Sequence, residues 1–243
     1  MKIALIGYGK MGKTIEKIAL SRGHEVVLRL DINNPEDFEK LSEADVAIEF
    51  TRPESAVGNL EKCIAAGVPV VCGTTGWLKH FDEISVLTKA QNSAFFYASN
   101  YSIGVNIFFE INRKLAEMMQ TQPQYEVKMA EIHHTQKLDA PSGTAITLAE
   151  GILQNVKRKT QWVCDTDSLS RDLGRGREDI VITSKRIDPA PGTHIVTYDS
   201  PIDSIEITHT AHSREGFATG AVLAAEWLVG KKGVFSMKDM LGF

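Results

Sequence analysis

Short runs of hydrophobic and β-branched residues alternate with stretches of helical periodicity over the first hundred positions. The runs predict five buried strands, at residues 2–7, 25–31, 45–50, 69–72 and 94–98. Met11, Ile15, Ile18 and Ala19 recur at helical spacing before Gly23, and further helices are predicted over 53–66 and 79–91. Strands that alternate with helices predict a parallel sheet with right-handed crossovers.

The second part of the chain has a different pattern. A predicted helix over 104–120 leads into a strand over 125–133, and another helix follows residues 142–144. Three β-rich runs come next, at 179–187, 193–199 and 204–210. Because no crossover helices separate these runs, we predict that the three strands are antiparallel. A last apolar helix is predicted over 216–229, so we expect two domains, an α/β domain followed by an α+β domain.

The composition narrows the class of protein. The chain has 243 residues, 43% of them hydrophobic, which is enough to bury a core and excludes a disordered or collagenous chain. With 27 basic and 31 acidic side chains, the net charge of −4 lacks the positive footprint of a general nucleic-acid binder. No apolar run approaches the roughly 18 residues of a membrane helix, and the opening residues predict a strand rather than a secretion signal.

The cysteines carry little information about function. Cys63, Cys72 and Cys164 are widely spaced and form no CxxC pair. We therefore expect reduced and mostly buried thiols in a cytoplasmic protein.

A glycine-rich turn joins the first predicted strand to the first predicted helix. In this strand–turn–helix context the pattern G-x-G-x-x-G of dinucleotide-binding folds is matched by Gly7, Tyr8, Gly9, Lys10, Met11 and Gly12. Gly7 permits the tight turn, Gly9 lets a pyrophosphate approach the backbone, and Gly12 lets the helix pack against the strand. Unpaired N–H groups at the helix start supply the anion site. The alternative is a tight turn that binds nothing.

Asp31 argues for the binding interpretation. It ends the second predicted strand, where an acidic side chain accepts hydrogen bonds from an adenosine ribose. The next residues, Ile32-Asn33-Asn34, include no arginine for a 2′-phosphate, which favours NADH over NADPH. Lys10 and Lys13 lie near the loop, so NADPH stays an alternative.

Two further segments, 50–53 and 73–76, follow strands at the same predicted edge of the sheet. Ligands of parallel sheets bind beyond the carboxyl ends of the strands, so Thr74 and Thr75 are candidates to border the nicotinamide. Both residues also suit an ordinary turn, and that interpretation stays open.

The polar segment 131–145, EIHHTQKLDAPSGTA, runs from a strand end through a charged loop into a helix. Adjacent histidines on a strand point to opposite faces, and no Cys or further His lies at ligand spacing, so we expect no zinc site. Histidine suits proton transfer near neutral pH, and Lys137 offers a charge for an anion. Hydroxyls and backbone donors at the helix start come from Ser142, Gly143 and Thr144. The segment predicts a pocket for a carboxylate-bearing substrate beside a general acid.

This segment resembles the signature E-[hydrophobic]-H-H-x-x-K-x-D-A-P-S-G-T-A of the dihydrodipicolinate reductase family. The resemblance covers nearly the whole chain and includes IGYGKMG at the N-terminus, EFTRPE at 49–54, CGTTG at 72–76, ASNYSIGVN at 98–106 and HTAHSREGFATGAVLAAEWL at 209–228. It implies a Rossmann-type dinucleotide-binding domain plus an α+β substrate and oligomerisation domain with a mixed or antiparallel sheet. The first domain is then built from residues 1–102 and 214–243, and residues 103–213 bind substrate and form a homotetramer.

The resemblance also implies roles for individual residues. His133 matches the proposed catalytic acid, and Lys137 matches a second catalytic or substrate-orienting residue. The binders of the substrate carboxylates match His134, Ser142, Gly143 and Thr144. Positions around the nicotinamide and the hinge match Gly73, Thr75, Asn100 and Tyr101, and we add Thr74 and Ser99 to this cofactor set.

In this family NADH or NADPH reduces 4-hydroxy-tetrahydrodipicolinate to tetrahydrodipicolinate with loss of water, on the diaminopimelate route to lysine. Hydride goes to C4 of the ring once the hydroxyl has left, and a proton is delivered to C3. The resemblance implies a cytoplasmic oxidoreductase that acts on a small dicarboxylate, without a metal, nucleic-acid or membrane partner. The alternatives are a dehydrogenase of similar design for another amino-acid-derived substrate, and a dinucleotide sensor without catalysis. A sensor has no need of a proton donor and cations in one segment.

The chain departs from the family pattern in two places. Its glycine loop lacks one residue that many members have ahead of Met11, so we align the glycines by role. Many members carry Gly-Glu-His before one late strand, where this chain has Gly192-Thr193-His194. We expect this second difference to alter a loop at the subunit contact and to leave the catalytic positions unchanged.

Overall fold

The computed structural model describes residues 1–31, 34–166, 176–213 and 215–243. Two residues of the cofactor argument, Ile32 and Asn33, lie outside the described residues, as does Arg214 at the predicted domain boundary. The chain divides into two compact units, one formed by Met1–Ile103 with Glu215–Phe243 and the other by Gly104–Arg214. No helix in the described ranges is both long and apolar enough to cross a bilayer.

The first unit begins with strands and helices in the alternation that the hydrophobic pattern predicts. In chain order the elements are β1 (Lys2–Ile6), α1 (Lys10–Ser21), β2 (Glu25–Leu30), β3 (Val46–Glu49), α2 (Pro53–Ala65), β4 (Val70–Cys72), α3 (Phe81–Ala90) and β5 (Ala94–Tyr97). Two 3₁₀ helices precede β3 and α3, at Pro35–Glu43 and Leu78–His80. The strand bounds agree with the prediction to within one residue.

In its described residues, the second unit contains two helices and five strands. They are α4 (Ile103–Met119), β6 (Glu126–His133), α5 (Gly143–Asn155), β7 (Gln161–Asp165), β8 (Asp179–Arg186), β9 (Thr193–Asp199) and β10 (Ser204–Thr210). The sequence did not predict β7, because this short strand buries none of its residues and so carries no clear hydrophobic pattern.

The chain then returns to the first unit through α6 (Glu215–Leu228), β11 (Gly233–Phe235) and α7 (Met237–Leu241). β11 completes a sheet of order β11-β5-β4-β3-β1-β2, in which every neighbouring pair is parallel. The chain leaves β1 for β2 on one side and then for β3 on the other. The carboxyl ends of β1 and β3 therefore flank the topological switch point at which such sheets bind ligands.

Helices cover both faces of this sheet. On one face, α6 buries Ala221, Val222 and Ala225 with Ile15 of α1. On the other, α2 and α3 contribute to a second buried cluster that includes Leu60. Two covered faces explain why these strands read as continuous apolar runs rather than as alternating patterns.

The sheet of the second unit is mixed, with the order β10-β9-β6-β8-β7. The prediction of three antiparallel strands is correct for β9 and β10 and wrong for β8, which pairs in parallel with β6 and β7. β6 lies between β8 and β9 and is antiparallel to β9. A parallel pair of β7 and β8 needs a long connection, and residues 166–178 separate the two strands along the chain.

Candidate active site

The glycine turn between β1 and α1 has the geometry that a dinucleotide requires. Gly7 has φ +98°, and a Cβ there would lie 2.0 Å from the carbonyl oxygen of Phe50. A Cβ at Gly12 would lie 2.3 Å from the carbonyl oxygen of Gly7, whereas a Cβ at Gly9 would have no atom within 4 Å. Gly7 and Gly12 are therefore needed for close packing, and Gly9 leaves open space for a ligand.

The first turn of α1 also suits an anion. It contains no acidic side chain, and the N-cap residue, Gly9, offers no side chain to its N–H groups. Lys10 is exposed, and Met11 packs partly against the core. The free backbone donors and the helix dipole thus match the pyrophosphate of a dinucleotide.

Asp31 lies in the wall of a cavity of about 490 Å³ beside the glycine turn. Arg52, from the predicted segment 50–53, also lines it, together with three side chains that the sequence did not single out, those of Phe38, Asn59 and Lys62. The Lys62 ammonium lies 4.0 Å from the centre of the Phe38 ring. Residues of α2 reach this cavity because α2 begins at the carboxyl end of β3. Their place in the cavity follows from the strand order of the sheet, which the local sequence pattern does not show.

Tyr8 in the glycine turn is held by a local charged network. Its hydroxyl donates to Glu16 on α1, and Glu16 pairs with Arg29 on β2. The Tyr8 ring lies near the cationic groups of Lys13 and Arg29, at 5.8 and 5.9 Å from their centres of charge. The side chain therefore braces the turn against the neighbouring strand.

The loop after β4 is tied to the end of β3 by a buried carboxylate. Glu49 is fully buried and accepts hydrogen bonds from Thr74 Oγ1 at 3.1 Å, Cys72 Sγ at 3.0 Å and the Thr51 hydroxyl. The Thr74 hydroxyl in turn accepts the Thr51 N–H at 2.7 Å. Thr74 thus fixes the loop through its side chain, while Thr75 is exposed at its tip.

The segment after β5 places its three predicted cofactor residues differently. Ser99 is exposed, and Asn100 accepts the N–H of Ser102 at 2.9 Å. Tyr101 is buried and donates its hydroxyl to the carbonyl of Cys72 at 2.7 Å. Burial raises the pKa of Tyr101 well above its usual value. Tyr101 therefore supports the end of β4 from the core side.

In the second unit, His133 ends β6 beside a buried carboxylate. Its Nδ1 lies 2.6 Å from Oε2 of Glu131, and Oε1 of Glu131 accepts from Arg186 at 3.0 Å. Burial alone would raise the pKa of Glu131, but hydrogen bonds from His133, Ser184 and Arg186 outweigh it and lower the pKa to about 2. Glu131 is thus an anion at neutral pH, with no exposed surface.

His194 on β9 packs against His133, with ring centres 5.1 Å apart. Its Nε2 shares a hydrogen bond of 2.9 Å with the hydroxyl of Ser142, which also accepts the Ala145 N–H as the N-cap of α5. Burial, with the nearby charge of His133, lowers the pKa of His194 to about 4. His194 is therefore neutral near pH 7 and links the histidine pair to the start of α5.

Lys137 lies in the loop between β6 and α5. Its ammonium contacts both carboxylate oxygens of Asp139 at 2.8 Å. Arg186 donates to the carbonyls of Lys137 and Asp139, at 3.2 and 2.7 Å. The guanidinium that holds Glu131 thus also fixes the backbone that carries Lys137.

The remaining predicted substrate residues lie around the same loop. His134 and Thr144 are half-buried and Gly143 is exposed. A Cβ at Gly143 would meet no atom within 4 Å, so the first turn of α5 has room for an anion. Of the predicted residues, the structure connects His133, Lys137 and Ser142 through Glu131, Arg186 and His194.

Sequence reasoning missed these three connecting residues. Glu131 could have been predicted as a neighbour of His133, because residues two apart on a strand lie on the same face. Arg186 and His194 face the site only through the pairing of β6 with β8 and β9. A Cβ at Gly192 would lie 3.0 Å from Nε2 of His133, so the segment 192–194, expected to affect a subunit contact, borders the candidate acid.

Glu131, His133 and His194 are residue types that bind metals, and their nearest ligand atoms lie within 4.8 Å of one another. In the described structure, however, the Glu131 oxygens already contact Arg186 and His133, and His194 Nε2 contacts Ser142. We interpret the cluster as a network of charged and polar contacts, in which Oε2 of Glu131 and Nδ1 of both histidines have no hydrogen bond of regular geometry among the described residues.

Two family models match the chain. Residues 1–101 match the model of the dihydrodipicolinate reductase N-terminus, and residues 104–241 match that of the C-terminus. A 4-hydroxy-tetrahydrodipicolinate reductase from Christiangramia forsetii is 51% identical, over 99% of this chain and 98% of its own length. One from Archaeoglobus fulgidus is 35% identical, over 99% of this chain and 100% of its own length.

Solved structures agree on the fold. A dipicolinate-bound dihydrodipicolinate reductase from Paenisporosarcina sp. TG-14 superimposes with a TM-score of 0.81 at 22% identity, and 98% of each chain is covered. A more distant neighbour, a probable dehydrogenase from Thermotoga maritima, has a TM-score of 0.54 at 10% identity, over 99% of this chain and 92% of its own.

Proposed function

The chain belongs to the dihydrodipicolinate reductase family, and we propose that it reduces 4-hydroxy-tetrahydrodipicolinate to tetrahydrodipicolinate with a nicotinamide dinucleotide. The observation that carries this proposal is the network around His133 in the second unit. There a candidate acid, a lysine and an uncovered helix start lie within one connected set of contacts. The first unit supplies the glycine turn and the acidic residue of a dinucleotide site.

When bound, the nicotinamide dinucleotide supplies a hydride, which reduces the ring carbon that has lost its hydroxyl. The protein has to deliver a proton to the neighbouring carbon and to hold a dianion. His133 is placed for the first task, because Glu131 occupies its Nδ1 and the missing side chain at Gly192 leaves room beside Nε2. We assign the proton transfer to Nε2 of His133.

Lys137 and the start of α5 are placed to hold the carboxylates. The ion pair of Lys137 with Asp139 is a weak competitor, because the Asp139 side chain is 62% exposed and water screens the pair. A substrate carboxylate therefore replaces Asp139 at little cost. His134, Ser142, Gly143 and Thr144 complete the proposed carboxylate set, with Ser142 acting as the N-cap that shapes the turn.

The direct test couples the purified protein to the synthase whose product is 4-hydroxy-tetrahydrodipicolinate and follows the loss of nicotinamide absorbance. We expect rapid oxidation of NADH or NADPH, and competition by pyridine-2,6-dicarboxylate, a planar mimic of the substrate. A dehydrogenase for another substrate would leave the absorbance constant here but respond to other amino-acid-derived acids. A sensor would respond to none of them.

For the cofactor, we propose that NADH is preferred and NADPH accepted. Asp31 favours a free ribose hydroxyl, whereas Arg52 and Lys62 in the same cavity reduce the repulsion of a 2′-phosphate.

Asp31→Ala is expected to weaken NADH binding roughly tenfold, as for one hydrogen bond to a charged group, and to weaken NADPH binding less. Titration by fluorescence measures both affinities, with Asp45→Ala, immediately before β3, as a control. Equal weakening would show that Asp31 does not contact the ribose.

We also propose that the second unit, besides binding substrate, forms a homotetramer. One face of its sheet buries Val127, Ile182 and Val196 against α4 and α5. The opposite face presents half-exposed side chains, among them Ile195 and Thr183, which a second copy of the sheet would cover. Ile195→Glu is expected to lower the mass measured by light scattering to that of a smaller assembly. A wild-type mass of one chain would refute the tetramer.

A cytoplasmic location is the third part of the proposal. Cys63 and Cys72 are buried free thiols, and Cys164 is exposed and free. Unpaired cysteines suit a reducing compartment, where a nicotinamide cofactor is also available. Fractionation of cells with an antibody against this chain tests the assignment.

A further inference from the structure

Among the described residues, two acidic side chains are fully buried, and only one of them has a cationic partner. Glu49 is held by hydroxyl and thiol donors, as described above. Glu131 instead lies between a guanidinium and an imidazole, at 3.0 and 2.6 Å. A carboxylate that carries full charge in a buried position is costly unless it interacts with cations, so its placement needs an explanation beyond packing.

We propose that Glu131 is a positioning residue for His133, which fixes the ring with its proton on Nδ1 and stabilises the imidazolium that donates from Nε2. The inference rests on the proposed function for its kinetic consequence and on geometry for the ring orientation. A nitrogen–oxygen distance of 2.6 Å is that of a charge-assisted hydrogen bond. Both atoms are buried, and neither has a hydrogen bond of regular geometry among the described residues, so this short ion-pair contact is the interaction that orients the ring.

Arg186 connects the Glu131–His133 pair to the loop that carries Lys137. It pairs with His133 in the register of β6 and β8, and its guanidinium contacts Glu131 and the carbonyls of Lys137 and Asp139. One side chain thus sets the orientation of the carboxylate and the path of the loop that carries Lys137. The relative position of the candidate acid and the candidate carboxylate binder follows from the Glu131–Arg186 pair.

The charged and titratable groups that face His133 come from every element around it. Glu131 is the anion on its own strand, Arg186 is the cation on β8, and His194 lies on β9 with His209 beyond it on β10. Lys137 in the following loop adds a further cation. His194 is neutral near pH 7, so Glu131 is the anion that offsets Arg186 and Lys137 beside the ring.

The variant that tests the charge is Glu131→Gln, which keeps the size of the side chain and an oxygen that accepts from Nδ1. We expect kcat to fall roughly 100-fold, the range of one acid–base contribution, while KM for NADH stays constant. The pH at which kcat declines on the alkaline side is expected to fall by about one unit, because a neutral amide no longer stabilises the imidazolium. Glu131→Asp keeps the charge and is expected to leave that pH near the wild-type value.

Glu117→Gln is the matched control, because it removes an exposed carboxylate of α4 in the same unit. We expect it to leave kcat and its pH profile unchanged. If the profile of folded Glu131→Gln superimposes on that of the wild type, the proposal is overturned, since a purely structural role would change stability without moving the profile.

A measurement on the unmodified protein keeps the proposal testable even if Glu131→Gln does not fold or the chain has another substrate. Nuclear magnetic resonance of ¹⁵N-labelled histidine distinguishes the two neutral tautomers, and the signal of His133 among the seven histidines is identified with His133→Ala. We expect the proton on Nδ1 in the free protein. A neutral His133 ring with its proton on Nε2 would overturn the proposal independently of the reductase assay.

Discussion

Replacing His133 by alanine is expected to lower turnover by roughly 100- to 10,000-fold, the contribution of a positioned general acid. This corresponds to about 3–5 kcal/mol of lost transition-state stabilisation. The loss is expected in kcat, because the proton is transferred in the chemical step and the ring carboxylates are held by other groups. Steady-state kinetics with the coupled substrate measures it.

Cofactor affinity is expected to stay nearly intact in this variant, because the glycine turn and Asp31 belong to the other unit. His80→Ala is the control, since it removes a histidine whose described contact is an ion pair with Glu83 at the surface. Wild-type turnover in folded His133→Ala would remove this residue from the chemistry, and a collapse in NADH affinity would mean that the effect is structural.

Replacing Lys137 by methionine is expected to lower kcat/KM by roughly 100- to 1,000-fold, because a charged contact to a substrate carboxylate contributes about 3–4 kcal/mol when water is excluded. Methionine keeps the length and apolar stem of the side chain. The stability of the protein should change little, since the lost ion pair with Asp139 is largely exposed. Kinetics and thermal unfolding measure the two effects separately.

Lys114→Met on α4 removes a comparable ammonium that is 59% exposed and serves as the control. Inhibition by pyridine-2,6-dicarboxylate gives a second reading of the same contact. We expect its inhibition constant to rise in Lys137→Met in parallel with the loss of kcat/KM. An unchanged constant would assign the carboxylate contact to another residue.

The strands of the first unit were predictable because each is a buried apolar run followed by a turn residue, and two covered faces make such runs continuous. β11 was not, since three half-buried residues form no pattern. The parallel pairing of β8 with β6 could not be predicted either, because the position of β6 between β8 and β9 depends on contacts between residues distant in sequence. Local periodicity specifies which residues form strands and says little about their neighbours.

The candidate site divides along the same line. Local sequence motifs predict one part of the site, which consists of the glycine turn, Asp31 and the segment 131–145. Arg186 and His194 lie some fifty residues further on and reach His133 only across the sheet. Tyr101 lies in a predicted cofactor motif, and only the structure shows that its hydroxyl donates to the carbonyl of Cys72 at the end of β4.

The return of the chain to its first unit has a consequence for biosynthesis. While the ribosome is still translating the second unit, the glycine turn and five strands have already emerged, but α6 and β11 have not. The face that later receives Ala221, Val222 and Ala225 then remains open to water and to other chains. Burial of this face, and the protection from proteolysis that burial gives, therefore wait for the final stretch of translation. A premature stop before residue 215 would release a product that carries the complete glycine turn and yet is a substrate for cellular quality control.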